Sequence, residues 1–379
     1  MKQYNVMLKP ASSLCNLRCR YCFYCDVADL REVRSFGIMT DETMQNVLRS
    51  LERSLSPGDQ ITVISQGGEP MLAGLDFFRR FAARTDGWDP GISVSFALQT
   101  NGMLLDHDWC AFLKERRVLV GLSYDMLEDL HDGARVDVSS RGTNRRVLES
   151  MRLLQKTGVE FNILCTLTNP IARHPEKVWR RMEQMDVRFV QFTPCLDALE
   201  TPGKSQYALT PKRFAGFYNT LFPLWLAAYQ KGQYRSVKLF DDVIHRLAFG
   251  SCNMCGLDGQ CRAQLVVEAD GSAYPCDFYC LDEYRLGNLC EKTIPELLAA
   301  PQAETFLQRP RESPALCARC EFRRFCGGFC KQMQREVCCT GDGGFCGYRE
   351  FLMQNLPALQ QLAQLERRYQ RLAWVWRCC

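Results

Sequence analysis

The sequence has no long apolar run. No stretch offers the ~20 uninterrupted apolar residues of a membrane helix, so no membrane span is expected. The start, Met1-Lys2-Gln3-Tyr4-Asn5-Val6, lacks the basic-then-apolar pattern of a secretory signal. One-sided charge is missing too. Lys+Arg 47 against Asp+Glu 43 leaves a dispersed net charge of +4, where a nucleic-acid binder would show a basic stripe. There is no low-complexity tract. With 46% hydrophobic and 24% charged residues, a disordered or collagen-like chain is excluded. The expected location is the cytoplasm. At 379 residues the chain exceeds one typical domain, and its length points to two or three.

Cysteine is what the chain has in excess. In a long chain without an export signal thiols stay reduced, and clusters of them point to metal rather than disulfides. The 22 cysteines are unevenly spread. Four lie within Cys15–Cys25, Cys110, Cys165 and Cys195 are scattered, and fifteen run from Cys252 to Cys379. Cysteine-rich ends around a cysteine-poor middle point to separate metal-binding regions.

The first ~230 residues alternate short apolar runs with longer amphipathic stretches, the pattern of βα units. Strands are predicted at Val6–Lys9, Ile61–Ser65, Ser93–Gln99, Val118–Ser123, Phe161–Thr166 and Phe189–Thr193. Helices are predicted at Asp41–Ser54, Leu75–Ala83, Asp106–Arg116, Asn144–Thr157 and Glu176–Met185, with Thr40 as a cap and Gly158 as a terminator. Six such units imply a parallel sheet, open or curved into a partial (β/α)6 barrel, with ligands at the carboxyl ends of its strands. Residues 205–250 read as helical. A hairpin is expected around the turn Ala269-Asp270-Gly271-Ser272, and a last helix over Phe351–Trp376, interrupted at Pro357. The composition change divides the chain into 1–235 and 236–379.

Several motifs fall at the predicted strand ends. Cys15-x3-Cys19-x2-Cys22, followed by Phe23-Tyr24, comes after the first strand. Thiolates are soft ligands suited to iron–sulfur clusters, and three of them leave one iron of a [4Fe–4S] cube open. A zinc knuckle completed by Cys25 is the alternative. Gln66-Gly67-Gly68-Glu69-Pro70 follows the second strand, Gln99-Thr100-Asn101 closes the third, and Ser123 and Asp125 close the fourth. Downstream, Cys317-x2-Cys320-x5-Cys326-x3-Cys330 precedes Cys346, and Cys255, Cys261 and Cys276 lie upstream. Structural zinc is the alternative there as well.

The first loop resembles that of the radical S-adenosylmethionine (SAM) enzymes. The resemblance implies that the open iron binds SAM and that reduction yields a 5′-deoxyadenosyl radical. Gly68 and Glu69 match the element that contacts the SAM amino group. Ser123, Arg135 of His131-x3-Arg135 and Leu196 match further positions near SAM, and Tyr21 and Tyr24 are expected to contribute to its pocket. Met126 stands where most relatives have glycine. The downstream cysteines resemble the SPASM extension of these enzymes. That likeness assigns Cys255, Cys261, Cys276 and Cys330 to one auxiliary [4Fe–4S] cluster and Cys317, Cys320, Cys326 and Cys346 to another, three clusters in all.

Lys9-Pro10-Ala11-Ser12-Ser13, Cys22-Phe23-Tyr24 and Pro275-Cys276-Asp277-Phe278-Tyr279 together resemble the anaerobic sulfatase-maturating enzymes. This likeness implies oxidation of a Cys or Ser to Cα-formylglycine, in a sulfatase polypeptide segment of the Cys/Ser-x-Pro-x-Arg type. Asp277 would be the general base, the auxiliary clusters would take up the substrate electron, and ferredoxin or flavodoxin would be the electron donor. Oxygen-labile clusters further imply an anaerobe. The competing readings are a radical SAM maturase of a ribosomally made peptide, forming thioether or carbon–carbon crosslinks, and a non-enzymatic iron–sulfur or zinc module. A peptide-binding domain ahead of the barrel would favour the former, and the barrel is expected to begin almost at Met1.

Overall fold

A computed structural model of the chain describes residues 1–200, 202–203, 205–311, 314–339 and 344–369. In chain order the strands are β1 (Gln3–Leu8), β2 (Gln60–Ser65), β3 (Ser93–Thr100), β4 (Leu119–Ser123), β5 (Phe161–Leu167), β6 (Phe189–Pro194), β7 (Ser236–Val237), β8 (Leu265–Val267), β9 (Ser272–Tyr274) and β10 (Gly287–Asn288). The first six are the predicted strands. Helices Asp41–Arg53, Leu75–Thr85, His107–Glu115, Asn144–Thr157 and Pro175–Gln184 also stand where periodicity places them. The Thr40 side chain accepts from the Thr43 N–H at 3.1 Å, capping its helix. Gly158 takes φ 68°, a left-handed terminator that glycine adopts without a Cβ penalty.

The chain packs as two units interleaved in sequence: 1–123, 134–161 and 262–309 in the first, and 124–133, 162–261 and 310–379 in the second. These packing units do not coincide with the composition boundary at 235. The reason lies in the hairpin of β8 and β9. In the first unit the strand order is β10–β9–β8–β1–β2–β3–β4. β8 pairs parallel to β1, with Val6 opposite Leu265 and Leu8 opposite Val267. One core then forms from residues far apart in sequence, including Val6, Leu51, Val63, Val267, Leu289 and Leu297. Burial of Val6 and Leu8 of β1 beside the fully buried β8 secures the strand that leads into the first cysteine loop.

The second unit contains β5, β6 and β7, paired in parallel, and long helices at Pro211–Gln230, Lys238–Phe249 and Gly347–Tyr369. Their aromatic side chains form its core: Phe240 stacks on Phe351 at 5.8 Å and meets Phe222 edge-on at 5.1 Å. The last helix runs through Pro357, contrary to the expected interruption. Pro357 removes one backbone hydrogen bond, but it and Met353, whose carbonyl is released, are both exposed, so water satisfies that carbonyl. Phe351, Leu352 and Leu359 stay buried on the opposite face and hold the helix together. The reading of this helix beyond Tyr369, with Cys378 and Cys379, lies outside the described residues. Among the described residues no helix is long and apolar enough to cross a membrane.

Candidate active site and cluster sites

The cysteine loop follows β1 and is braced by the loop after β2. The Gly68 N–H donates to the Ser12 carbonyl at 2.9 Å, and the Glu69 N–H donates to the Leu14 carbonyl at 2.8 Å. A Cβ at Gly68 would overlap the Leu14 carbonyl. Glycine is therefore required there by the contact between the two loops themselves.

Donors surround the thiols. The Leu17 N–H reaches Cys15 Sγ at 3.4 Å, Asn101 Nδ2 reaches it at 3.8 Å, and Arg135 Nη1 lies 4.0 Å from Cys19 Sγ. The Arg135 guanidinium also stacks over the Tyr21 ring at 5.4 Å. A hydrogen bond from the Cys25 thiol brings the Cys22 thiol down to about 6, whereas burial pushes Cys15 up to about 11.

Glu69 is fully buried. Its carboxylate accepts from Asn101 N at 2.8 Å, Thr100 Oγ1 at 2.9 Å and Met71 N at 3.1 Å. Burial raises it to about 7, and no salt bridge holds it among the described residues. Nearby, Ser123 at the end of β4 accepts from Gln99 Nε2 at 3.1 Å. In the second unit, Met126 takes φ 62°, the conformation glycine would supply, at a cost of about 1 kcal/mol. Leu196 is half-buried in the loop after β6.

Asp277 lies directly after Cys276, at the end of the hairpin. Its carboxylate is held at both oxygens: Lys9 Nζ stands 2.6 Å from Oδ1, and Gln66 Nε2 stands 2.8 Å from Oδ2. Lys9 and Gln66 belong to the first and second strand-end motifs, so tertiary structure joins three motifs in one cluster. The Lys9 ammonium is buried and lies 3.7 Å from the centre of the Tyr24 ring. Burial acts to lower its pKa, but the charges of Asp277, Cys280 and Glu268 outweigh this and raise it. Behind it, the Tyr24 hydroxyl and Arg31 both donate to Glu268, the latter at 2.7 Å. Sequence reasoning assigned no role to Lys9, Gln66, Arg31 or Glu268. The one available signal was a lysine at the end of an otherwise apolar strand.

In the second unit, Cys317, Cys320, Cys326 and Cys346 line one pocket. Cys338, absent from the expected ligand set, lines it too. Its hydrogen bond brings the Cys346 thiol down to about 6. Elsewhere in the unit, the segment carrying Cys255 and Cys261 is pressed against the one carrying Cys330. A Cβ on Gly256 would come within 2.5 Å of Cys330 Cβ, and Arg311 donates to the carbonyls of both Gly259 and Gly327. Cys276 belongs to the first unit.

The residues fit the groups that the motifs imply. Three thiols on one loop, faced by N–H and guanidinium donors, suit an iron–sulfur cluster. A buried carboxylate without a counter-charge is complementary to an ammonium group. A pocket walled by thiols suits a second cluster.

Residues 10–177 match the radical SAM superfamily, and residues 240–321 match the SPASM iron–sulfur cluster-binding domain. A cysteine-type anaerobic sulfatase-maturating enzyme of Clostridium novyi is 35% identical, over 96% of this chain and 98% of its own. One from Clostridium perfringens is 38% identical, over 96% and 99%. This chain belongs to the anaerobic sulfatase-maturating enzymes. A serine-type member from Bacteroides thetaiotaomicron is 26% identical, over 94% and 90%. The solved structure of native anSMEcpe with bound AdoMet and a Cp18Cys peptide superposes with a TM-score of 0.87, at 35% identity over 96% of this chain and 99% of the other. The radical SAM and SPASM regions of this sulfatase-maturating enzyme therefore stand as expected, with SAM and [4Fe–4S] clusters as the cofactors of the family.

Proposed function

We propose that this sulfatase-maturating enzyme oxidises the Cβ of a cysteine, in a Cys-x-Pro-x-Arg segment of a sulfatase polypeptide, to give Cα-formylglycine. The observation that carries this reading is the Asp277 carboxylate, held between Lys9 of the cysteine-loop motif and Gln66 of the Gly-Gly-Glu loop. The cysteine-type relatives, at 35–38% identity against 26–28% for the serine-type, favour cysteine as the substrate residue.

Cys15, Cys19 and Cys22 would hold the first cluster, and Glu69 would meet the ammonium of SAM, with Gly68, Ser123, Arg135, Leu196, Tyr21 and Tyr24 completing its surroundings. When bound, these groups supply the radical that removes hydrogen from Cβ, and the auxiliary clusters supply an electron acceptor. Asp277 takes the proton of the substrate thiol. Lys9 and Gln66 hold its carboxylate at both oxygens and so aim it. Tyr24, held by Glu268, lies against the Lys9 ammonium. Residues 1–235 carry the radical chemistry, and residues 236–379 carry the auxiliary ligands assigned from sequence. A cytoplasmic ferredoxin or flavodoxin is the expected donor.

The test is anaerobic incubation with SAM, a reductant and Cys-x-Pro-x-Arg or Ser-x-Pro-x-Arg peptides, followed by mass spectrometry. The expected result is the aldehyde, formed faster from the cysteine peptide. SAM cleavage with no aldehyde from either peptide would overturn the reading.

A further inference from the structure

Tyr24 is held on its face and at its tip. The Lys9 ammonium lies 3.7 Å from the centre of its ring, and its hydroxyl donates to Glu268. Glu268 accepts from Arg31 Nη1 through the same oxygen, at 2.7 Å, and the side chains of Lys9, Arg31 and Glu268 are wholly buried. The Arg31 guanidinium stands 5.6 Å from the centre of the Tyr24 ring and 5.5 Å from that of Phe36, and its Nη2 donates to the Arg34 carbonyl at 2.9 Å. Lys9 and Glu268 each follow the last residue of a strand, β1 and β8, and the Lys9 N–H donates to the Val267 carbonyl at 2.8 Å. Two opposite charges thus leave neighbouring strand ends, and the tyrosine ring bridges them.

A buried ion pair often adds no net stability over apolar residues of similar volume, so stability alone does not explain Glu268 and Arg31. What they hold does. Lys9 has a flexible four-carbon stem, and its ammonium stays aimed at Asp277 only while something closes its other side. The Tyr24 ring is that wall, and the ring is free to swing unless its hydroxyl is anchored. We propose that Glu268, clamped by Arg31, is a positioning residue for the oxidation. It anchors Tyr24, and Tyr24 keeps Lys9 Nζ on Asp277 Oδ1, 2.6 Å away. Glu268 and Arg31 act only through the contact between Lys9 and Asp277. The inference rests on the reading that Asp277 is the base.

The readout is aldehyde formed per 5′-deoxyadenosine released, on anaerobically prepared enzyme with a Cys-x-Pro-x-Arg peptide. Two paired variants remove both charges at similar volume and differ only in the acceptor left for Tyr24. Arg31→Met with Glu268→Leu should lower the ratio by up to about 10²-fold, through kcat with the peptide KM unaltered. Arg31→Met with Glu268→Gln keeps an acceptor for the hydroxyl and should keep most of the ratio. Equal loss in the two, no loss in either, or a change confined to KM overturns the proposal. Where the leucine pair does not fold, Glu268→Asp takes its place. It keeps the charge for Arg31 but draws the carboxylate back from Tyr24, and an unaltered ratio there overturns the proposal too. In an Asp277→Asn background the leucine pair should cause no further loss, whereas a further loss of the same size would mean that Glu268 does not act through Asp277. Full yield in Asp277→Asn alone would instead overturn the base reading itself.

Discussion

In the first unit, Cys15, Cys19 and Cys22 share one loop of eight residues, whereas in the second unit five cysteines from Cys317 to Cys346 face one pocket. The first loop stands on a continuous sheet, and its donors come from Leu17, Asn101 and Arg135. The pocket is walled in part by the short helices Ala315–Ala318 and Arg323–Cys326, four residues each, beside the start of the long Gly347–Tyr369 helix. Helices that short do not persist without tertiary support. The protein builds the first site, while a cluster would help build the second, as a staple where apolar core is sparse.

The largest break expected is in the first region. Cys19→Ala should abolish SAM cleavage, measured as 5′-deoxyadenosine released, and undiminished release would remove the loop from the mechanism. Next, Asp277→Asn should retain that cleavage but lower aldehyde yield by about 10²–10⁴-fold, and mass spectrometry of the peptide would reveal full yield if the base role is wrong. A third measurement bears on folding. Chelating the iron should accelerate amide hydrogen exchange across 314–339, leaving protection in β1–β3 nearly unchanged. Equal loosening in both units would erase the distinction.

The fourth prediction concerns the scaffold of the second unit. Asp241 is buried, accepts from the Ser236 hydroxyl through Oδ2, and is pushed by burial up to about 7 from an ordinary value near 3.8. Between those values the unfolded chain gives up a proton that the folded chain keeps, so stability should fall as pH rises from 4 to 7 and level off above. Asp241 contributes at most about 1.4 kcal/mol per pH unit to that slope. Asp241→Asn should flatten it, as urea unfolding at pH 5 and pH 8 would show. The smallest effect is expected in the first unit, where Thr40→Ala should cost about 1 kcal/mol by thermal melting, with aldehyde yield unaltered.

Much of the cysteine loop and its partners was legible because the ligands sit close in sequence and at strand ends. Cys15, Cys19, Cys22 and the Gly-Gly-Glu element share one rim of the first unit, as their spacing required. Lys9 was not legible as a partner of Asp277. A single lysine after a strand carries no pattern, and the two residues are 268 apart in the chain. Met126 shows the reverse case. A departure from the expected glycine predicts a different loop, yet the left-handed conformation is kept by a buried methionine.

The amino-acid sequence by itself determined the succession of βα units, the capped helices and the three-thiol loop, because these depend on periodicity and on neighbours a few residues apart. Only the tertiary structure decided that the β8–β9 hairpin joins β1, that Lys9 and Gln66 close on Asp277, and that Cys338 stands beside Cys346. Those outcomes depend on which apolar faces bury each other, and burial brings together residues whose separation along the chain leaves no periodic trace.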